Sequence, residues 1–258
     1  MNKLNFKNRF IEKYLFFFII IGIWIIGSYF SWWNNYIIPY PQKVFTTFLK
    51  LLKTGELFKH LFISISRIFL GFLISTFIAI PTAIIFAMFP KIYNYFKSFL
   101  EFMKHTPPFA LIPIIILWFG IGEISKIIII ILASFFPVFL NTFKGIKNCD
   151  KKLIEVGYTF NLTKFEIFKK IILPSAIPDI LTGIKLGIGY SWRSIIGAEM
   201  IAASSGIGYL ILDGQQMSRS DIIIIGILSI GILGIFTDYI FSSIIKIFLK
   251  KRGFFNEQ

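Results

Sequence analysis

Between Leu61 and Phe89 the chain carries one charged residue, Arg67, in an otherwise apolar run. A helix needs about 20 mostly apolar residues to cross the hydrocarbon of a bilayer, and this run is longer than that. Other apolar stretches lie at Tyr14 to Trp33, Pro107 to Phe119, Ile127 to Leu140, Pro178 to Ala198 and Ile222 to Leu249. Hydrophobic residues make up 56% of the 258 and the mean hydropathy is +0.76, so a lipid bilayer rather than water is the expected solvent. Backbone groups in lipid must be satisfied within the structure, and the runs are too continuous for the ten-residue alternation of barrel strands. The sequence therefore predicts an all-α polytopic membrane protein of about six transmembrane helices, folded as a single transmembrane domain over residues 1–258.

Lys3, Lys7, Arg9 and Lys13 precede the first run, which lacks a small-x-small cleavage site and ends in the aromatic cluster Tyr29, Phe30, Trp32, Trp33, as suits a membrane interface. It is read as a retained first helix. After Ile38-Pro39-Tyr40-Pro41, apolar residues at Val44, Phe45, Phe48, Leu51 and Leu52 interleave with Lys43, Lys50 and Lys53 at helical spacing, which predicts an amphipathic surface helix. The run from Leu61 to Phe89, with Pro81 inside it, is one long or kinked helix. The third helix begins near Phe96 and is broken or kinked at Pro107-Pro108. The fourth extends back to Ile124 after the turn Gly120-Ile-Gly-Glu123. The fifth runs from about Pro178 to Ala198, a non-helical loop over Ala202 to Tyr209 follows it, and the sixth begins at Ile222.

The net charge of +14 would suit a nucleic-acid partner, but its placement argues for membrane topology instead, and no nucleic acid is expected. Of the 27 cations, 18 fall in segments that six helices place on the side of the termini, and six fall opposite. The positive-inside rule then expects a multi-pass chain with both termini in the cytoplasm. The three cations left over, Arg67, Lys185 and Arg193, lie within apolar helices. The single cysteine, Cys149, allows no intramolecular disulfide and has no Cys or His neighbour at metal-ligand spacing, so no metal is expected. The nearest approach to a phosphate-binding loop, Gly120 to Lys126, lacks the second glycine before its lysine. No cofactor is expected on this chain.

The longest internal polar stretch covers about residues 147–174. Asp150 can cap a short helix, Asn161 tolerates the left-handed conformation that ends it, and Thr163 with Glu166 forms a capping-box pattern for a second. Phe165, Phe168, Ile171 and Ile172 share one face of that second helix. Two readings are open: a loop made basic by topology, or a compact knob with an apolar face and basic rim that seats in a protein partner.

The spacing Glu155-Val-Gly157, three residues, Asn161, nine residues, then Ile171-Ile-Leu173-Pro174 resembles the Glu-Ala-Ala motif of ABC importer permeases. In that family the loop seats in a cleft of the ATPase and transmits its closure. The resemblance implies a coupling role for Glu155, Gly157, Asn161, Thr163, Phe168, Ile171, Leu173 and Pro174. Val156 and Gly157 stand where the family has alanines, and Asn161 replaces the usual glycine, Asn being the next best residue at positive φ. Further stretches are Ser66-Arg67-Ile-Phe-Leu-Gly71, Pro107-Pro108-Phe-Ala-Leu-Ile-Pro113, Leu117-Trp-Phe-Gly-Ile-Gly-Glu123, Phe136-Pro137 with Asn141-Thr142, and Trp192-Arg193 through Glu199 to Gly206-Ile-Gly208-Tyr209. In this order they are similar to the permease branch serving nitrate, taurine, aliphatic sulfonates and bicarbonate. The resemblance implies a place in a bacterial inner membrane, a homodimer of permeases, two separate ABC ATPase subunits that use the ATP, a periplasmic or lipoprotein substrate-binding protein, and a small anion as substrate. Relatives in the branch that carry riboflavin or thiamine-precursor pyrimidines keep a vitamin precursor as the alternative. A stand-alone secondary transporter is the alternative of another class, and the repeated halves common there are not evident between residues 61–140 and 178–249.

Ionisable residues inside apolar helices are functional candidates by default. Arg67, Arg193 and, near a helix end, Glu199 are in this position, each with two roles open. They line a path for an anion, or they serve the fold, Arg67 by pairing with Glu199 or Glu123. Lys185 is read as snorkelling to the interface. Trp192 joins the candidate path beside Arg193. Pro107 and Pro108 mark either a broken helix that exposes carbonyls to the path or a structural kink. Ser204 and Ser205 either present hydroxyls to substrate or form a surface turn.

Overall fold

The computed structural model describes the backbone over residues 3–251 and side chains over 15–250, and every regular element in that range is helical. The elements are α1 (Lys3–Tyr29), α2 (Pro41–Lys53), α3 (Glu56–Met88), α4 (Pro90–His105), α5 (Ile112–Phe119), α6 (Glu123–Lys147), α7 (Lys151–Thr159), α8 (Lys164–Ile167), α9 (Leu173–Ala202), α10 (Ile207–Gln216) and α11 (Ser220–Lys251). Among the described residues, four helices are long and apolar enough to cross a bilayer: α3, α6, the continuous stretch Lys164–Ala202, and α11 over Ser220–Lys250. Segments Pro90–His105 and Pro108–Phe119 meet the same test only together and are bent by 93°. The first apolar run contributes the shorter helix Leu15–Tyr29. The chain is thus an all-helical polytopic membrane protein, its expected six crossings appearing as four continuous spans, one bent pair and one shorter helix.

The bend has a local cause. Thr106 precedes a proline and is pushed out of the helical region to φ −80°, ψ 117°, and Pro107 continues extended at φ −62°, ψ 129°. A tight turn over Pro108–Leu111 then starts α5. Pro81, by contrast, lies inside α3 without ending it.

Two sequence expectations need correction. The second coupling helix does not stop before the fifth span: α8 passes through a widened turn at Phe168–Ile172 straight into α9, so the span starts well before Pro178. Pro174 has no N–H to return to the preceding turn and its ring crowds the carbonyl there, which a widened turn relieves. The segment from Ala202 to Tyr209 is non-helical only at residues 203–206, because Ile207 begins α10, a helix the sequence pattern did not indicate.

Packing divides the chain into two sets of residues, the first running to Lys59 with Leu210–Leu228. In it, Trp24 Nε1 donates to the Pro39 carbonyl at 3.0 Å, tying α1 to the segment ahead of α2. Helix α2 buries Val44, Thr47 and Leu51, whereas Phe45 stays exposed. Thr47 belongs to the buried face because its hydroxyl donates to Asp221 Oδ2 at 2.7 Å, an oxygen that also receives Arg219 Nη2 at 2.7 Å.

The second set is His60–Tyr209 with the chain from Ser229 onward. Its centre is α6 against α9. Gly183 and Gly187, four residues apart, let the helices approach so closely that a Cβ at Gly187 would stand 2.8 Å from Val138 Cγ2. On α6 the same is true of Gly145, where a Cβ would stand 2.7 Å from Asp179 Cβ. Small residues at such a seam are the usual means of packing helices in lipid, where no hydrophobic gain drives them together. Gly71 brings α3 onto Ile130 of α6 in the same way. Stacked rings of Phe135, Phe139 and Phe143 fill the adjoining space.

Candidate functional site

The coupling segment follows from its local chemistry. Asp150 accepts from Lys152 N at 2.9 Å and caps α7. The helix ends at Thr159, and Asn161 takes the left-handed conformation, φ 55°, that turns the chain. Thr163 and Glu166 form a reciprocal capping box, Thr163 N donating to Glu166 Oε2 at 3.0 Å and Glu166 N to Thr163 Oγ1 at 3.3 Å. Lys170 Nζ, one turn on, closes to 2.9 Å of the same carboxylate. Gly157 is buried, and a Cβ there would meet Ile171 Cδ1 at 2.8 Å, so glycine sets how closely α7 lies on the start of the long helix. Glu155, Asn161 and Thr163 are exposed, while Phe168, Ile171, Leu173 and Pro174 are half-buried. Leu153, Val156, Tyr158, Phe160 and Phe165 are exposed large apolar side chains on this segment.

A second constellation is buried. Arg67 lies inside α3 and is 5% exposed, and Glu199 lies near the end of α9 and is fully buried. Arg67 Nη1 donates to Glu199 Oε1 at 2.8 Å, while its Nε and Nη2 grip the two oxygens of Glu123 at 2.7 and 2.6 Å. The planar guanidinium has donors enough for both carboxylates, so the two partners that the sequence offered as alternatives are both taken. Lys126 Nζ, buried one turn along α6, meets Glu123 Oε1 at 2.7 Å. Two cations and two carboxylates therefore meet where α3, α6 and α9 converge. Pairing of this kind is what allows charges to be buried in such a setting.

The cluster also fixes the loop after α9. Arg67 Nη1 donates to the Ser205 carbonyl at 2.7 Å, and Gly208 N donates to Glu199 Oε2 at 2.9 Å. Ser64, one turn before Arg67 on α3, places its hydroxyl 2.8 Å from both oxygens of Glu199 and accepts from Ile207 N at 2.9 Å. Gly206 N donates to His60 Nδ1 at 3.0 Å. Gly206 itself has φ 115°, and a side chain there would collide with the Glu199 carboxylate. Ser64 and Lys126 were not candidates from sequence, and Gly206 and Gly208 entered there only as part of a motif. Ser64 carried a signal, because three residues before Arg67 puts it on the same helix face.

The remaining path candidates are placed elsewhere. Ser204 is exposed, and Ser205 Oγ turns to Arg67 Nη2 at 3.3 Å. Pro107 is exposed at the bend, and Pro108 lines a cavity of about 420 Å³ with Thr106, Pro137, Asn141 and Tyr190. Trp192 is 5% exposed, and Arg193 is exposed with its guanidinium 5.4 Å above the ring of Tyr190. Lys185, expected to snorkel, reaches Asp238 of α11 at 3.3 Å.

Comparison with known proteins agrees with this arrangement. The family described as "Binding-protein-dependent transport system inner membrane component" matches residues 79–252. The chain is 38% identical over 220 residues to the permease protein SsuC of Bacillus subtilis (strain 168), named for transport of aliphatic sulfonates, with 85% of this chain and 80% of that one covered. It is 29% identical over 220 residues to the taurine transport system permease protein TauC of Escherichia coli (strain K12), covering 83% and 80%. It is 27% identical over 179 residues to the nitrate import permease protein NrtB of Leptolyngbya laminosa, covering 69% and 64%. Four long apolar helices, a bent pair and a capped polar segment between α6 and α9 are thus the frame of a transport subunit, and the chain belongs to the family of inner-membrane components of binding-protein-dependent transport systems.

Proposed function

We propose that two copies of this chain form the translocation path of an ATP-driven importer for a small anion of the sulfonate, taurine or nitrate type. Two ATPase subunits on the cytoplasmic side use the ATP, and this chain binds no nucleotide or other cofactor. A periplasmic or lipid-anchored binding protein delivers the substrate at the opposite face, both termini being cytoplasmic. The segment Lys151–Pro174 is the contact with the ATPase. The observation that carries this reading is the geometry of that segment: two helices about the left-handed Asn161, capped at Asp150 and Thr163, with Val156, Tyr158, Phe160 and Phe165 exposed. Apolar side chains on a capped, basic segment suit a protein cleft better than water. Because α8 continues into α9, a displacement of the segment reaches the span without an intervening flexible joint.

The Arg67, Glu123 and Glu199 cluster holds the far end of α9 and its loop against α3 and α6, so α9 is anchored at one end and driven at the other. Affinity purification of the tagged full-length chain from its own cells tests the reading. An ATPase that co-purifies with wild type and is lost from Glu155→Lys is the expected result. A dimer of the chain that transports with no ATPase attached would overturn it.

A further inference from the structure

Of the three cations that the sequence places inside apolar helices, the structure accounts for two. Arg67 is held by two carboxylates, and Lys185 reaches Asp238. Arg193, about 14 Å along α9 from its end at Ala202, has no carboxylate partner among the described residues and is covered only by the ring of its neighbour Tyr190. A cation within a membrane helix that lacks a counter-charge from its own chain calls for one from elsewhere.

Arg193 borders a cleft of about 610 Å³ between α9 and α11, a volume in the range of small-molecule sites. Gly189, Gly231 and Gly234 leave backbone exposed along it, and Ile196, Ile230 and Ile235 make part of its wall apolar. Trp192 lines the same cleft, and its indole N–H, a donor only, is buried with no acceptor. The cleft also holds Asp238, which pairs with Lys185 at 3.3 Å and accepts weakly from Ser242 Oγ at 3.5 Å rather than bonding Arg193. The guanidinium, open to the cleft beside an apolar wall, asks for a ligand with charged acceptor oxygens and a short apolar body; the indole N–H, closed to solvent, meets such a ligand only after the ring shifts.

We propose that this cleft binds a small oxoanion of the alkanesulfonate class, with Arg193 gripping its oxygens and setting the preference for an anion. This rests on the importer reading above and names its substrate site. The oxygens of a sulfonate match the fork of Arg as a planar or tetrahedral oxoanion should. A phospholipid phosphate offers the same chemistry, and the lipid composition of the assay separates the two sources.

The test uses the full chain in nanodiscs of purely zwitterionic phospholipid with radiolabelled ethanesulfonate as the probe. Wild type is expected to retain ethanesulfonate, and inorganic nitrate to compete. Arg193→Gln should weaken retention by about 10- to 100-fold, the value of one charge-assisted contact, and Arg193→Lys should restore part of it. Trp192→Phe, which keeps the ring and removes the N–H, should weaken it by a smaller factor and serves if Arg193→Gln does not insert. Retention unchanged in both Arg193→Gln and Trp192→Phe overturns the site. Displacement of the probe by anionic phospholipid, with no competition from nitrate, assigns the cleft to a headgroup and overturns the substrate assignment. ATP-dependent uptake by the assembled transporter is scored separately. An importer that works with ATP while its Arg193→Gln variant is unaltered keeps the function and loses the site, whereas an assembly with no ATP-driven uptake fails at the function itself.

Discussion

Glu199 accepts a hydrogen bond from Arg67 Nη1 at 2.8 Å, in a position where its side chain has no exposure to solvent. The two residues lie 132 positions apart, on α9 and α3. Around them Glu123, Lys126, Ser64 and the backbone of residues 205–208 complete the hydrogen bonding. Neither charge is left bare, and the cluster joins three helices to one loop.

Arg67→Ala removes one member of that set and strands a buried carboxylate. Breaking a buried pair in this way costs on the order of 3–5 kcal/mol. Unfolding of the detergent-solubilised protein should shift accordingly. The double change Arg67→Met with Glu199→Leu should recover at least half of the loss, because apolar residues of similar size avoid the uncompensated charge. Equal instability in the single and double variants would show that the pair is not what holds the helices.

Gly206→Ala should be as damaging as a core substitution although the residue follows a helix end. Its φ of 115° strains any side chain, and the added Cβ would occupy the space of the Glu199 carboxylate. A loss of roughly 1–3 kcal/mol is expected from the backbone conformation alone, read as a lower apparent melting temperature. Gly22→Ala, where a Cβ meets nothing within 4 Å, is the control and should stay near wild type.

Thr163→Ala deletes one half of the capping box and should cost about 1 kcal/mol locally. Because the box starts the helix that runs into the span, insertion is expected to be normal while ATP-dependent uptake falls severalfold. Asn161→Gly should retain uptake, since glycine takes positive φ without strain, and Asn161→Val should not. Wild-type uptake by Asn161→Val would remove the turn from the coupling account.

Much of this was legible because it is local. Caps at Asp150 and Thr163, the turn at Asn161 and the break before Pro107 each depend on a few neighbouring residues, and each has the expected geometry. Apolar run length gave the spans for the same reason. What escaped was set by distant contacts. Thr47 looks polar in the pattern of α2 yet is buried because Asp221 waits across from it. Lys126 reads as a topological charge and is instead drawn into the cluster by Glu123. The start of α10 at Ile207 has no clear periodic signal, since its first turn is fixed by bonds from Gly206, Ile207 and Gly208 to His60, Ser64 and Glu199. Prolines at 174 and 178 suggested a helix start, but a widened turn at Phe168–Ile172 accommodates Pro174, and Pro178 lies inside α9 without ending it.

The central claim is that transport by this chain is driven through the segment Lys151–Pro174 by a separate ATPase. Its most direct measurement is uptake of ethanesulfonate into proteoliposomes that contain the chain, its ATPase and its binding protein, compared with Asn161→Pro in the same assembly. The account predicts uptake that requires ATP in wild type, and in Asn161→Pro a protein that inserts normally but imports nothing when ATP is supplied. Equal ATP-dependent uptake by both proteins, or accumulation by the chain without any ATPase, would contradict it.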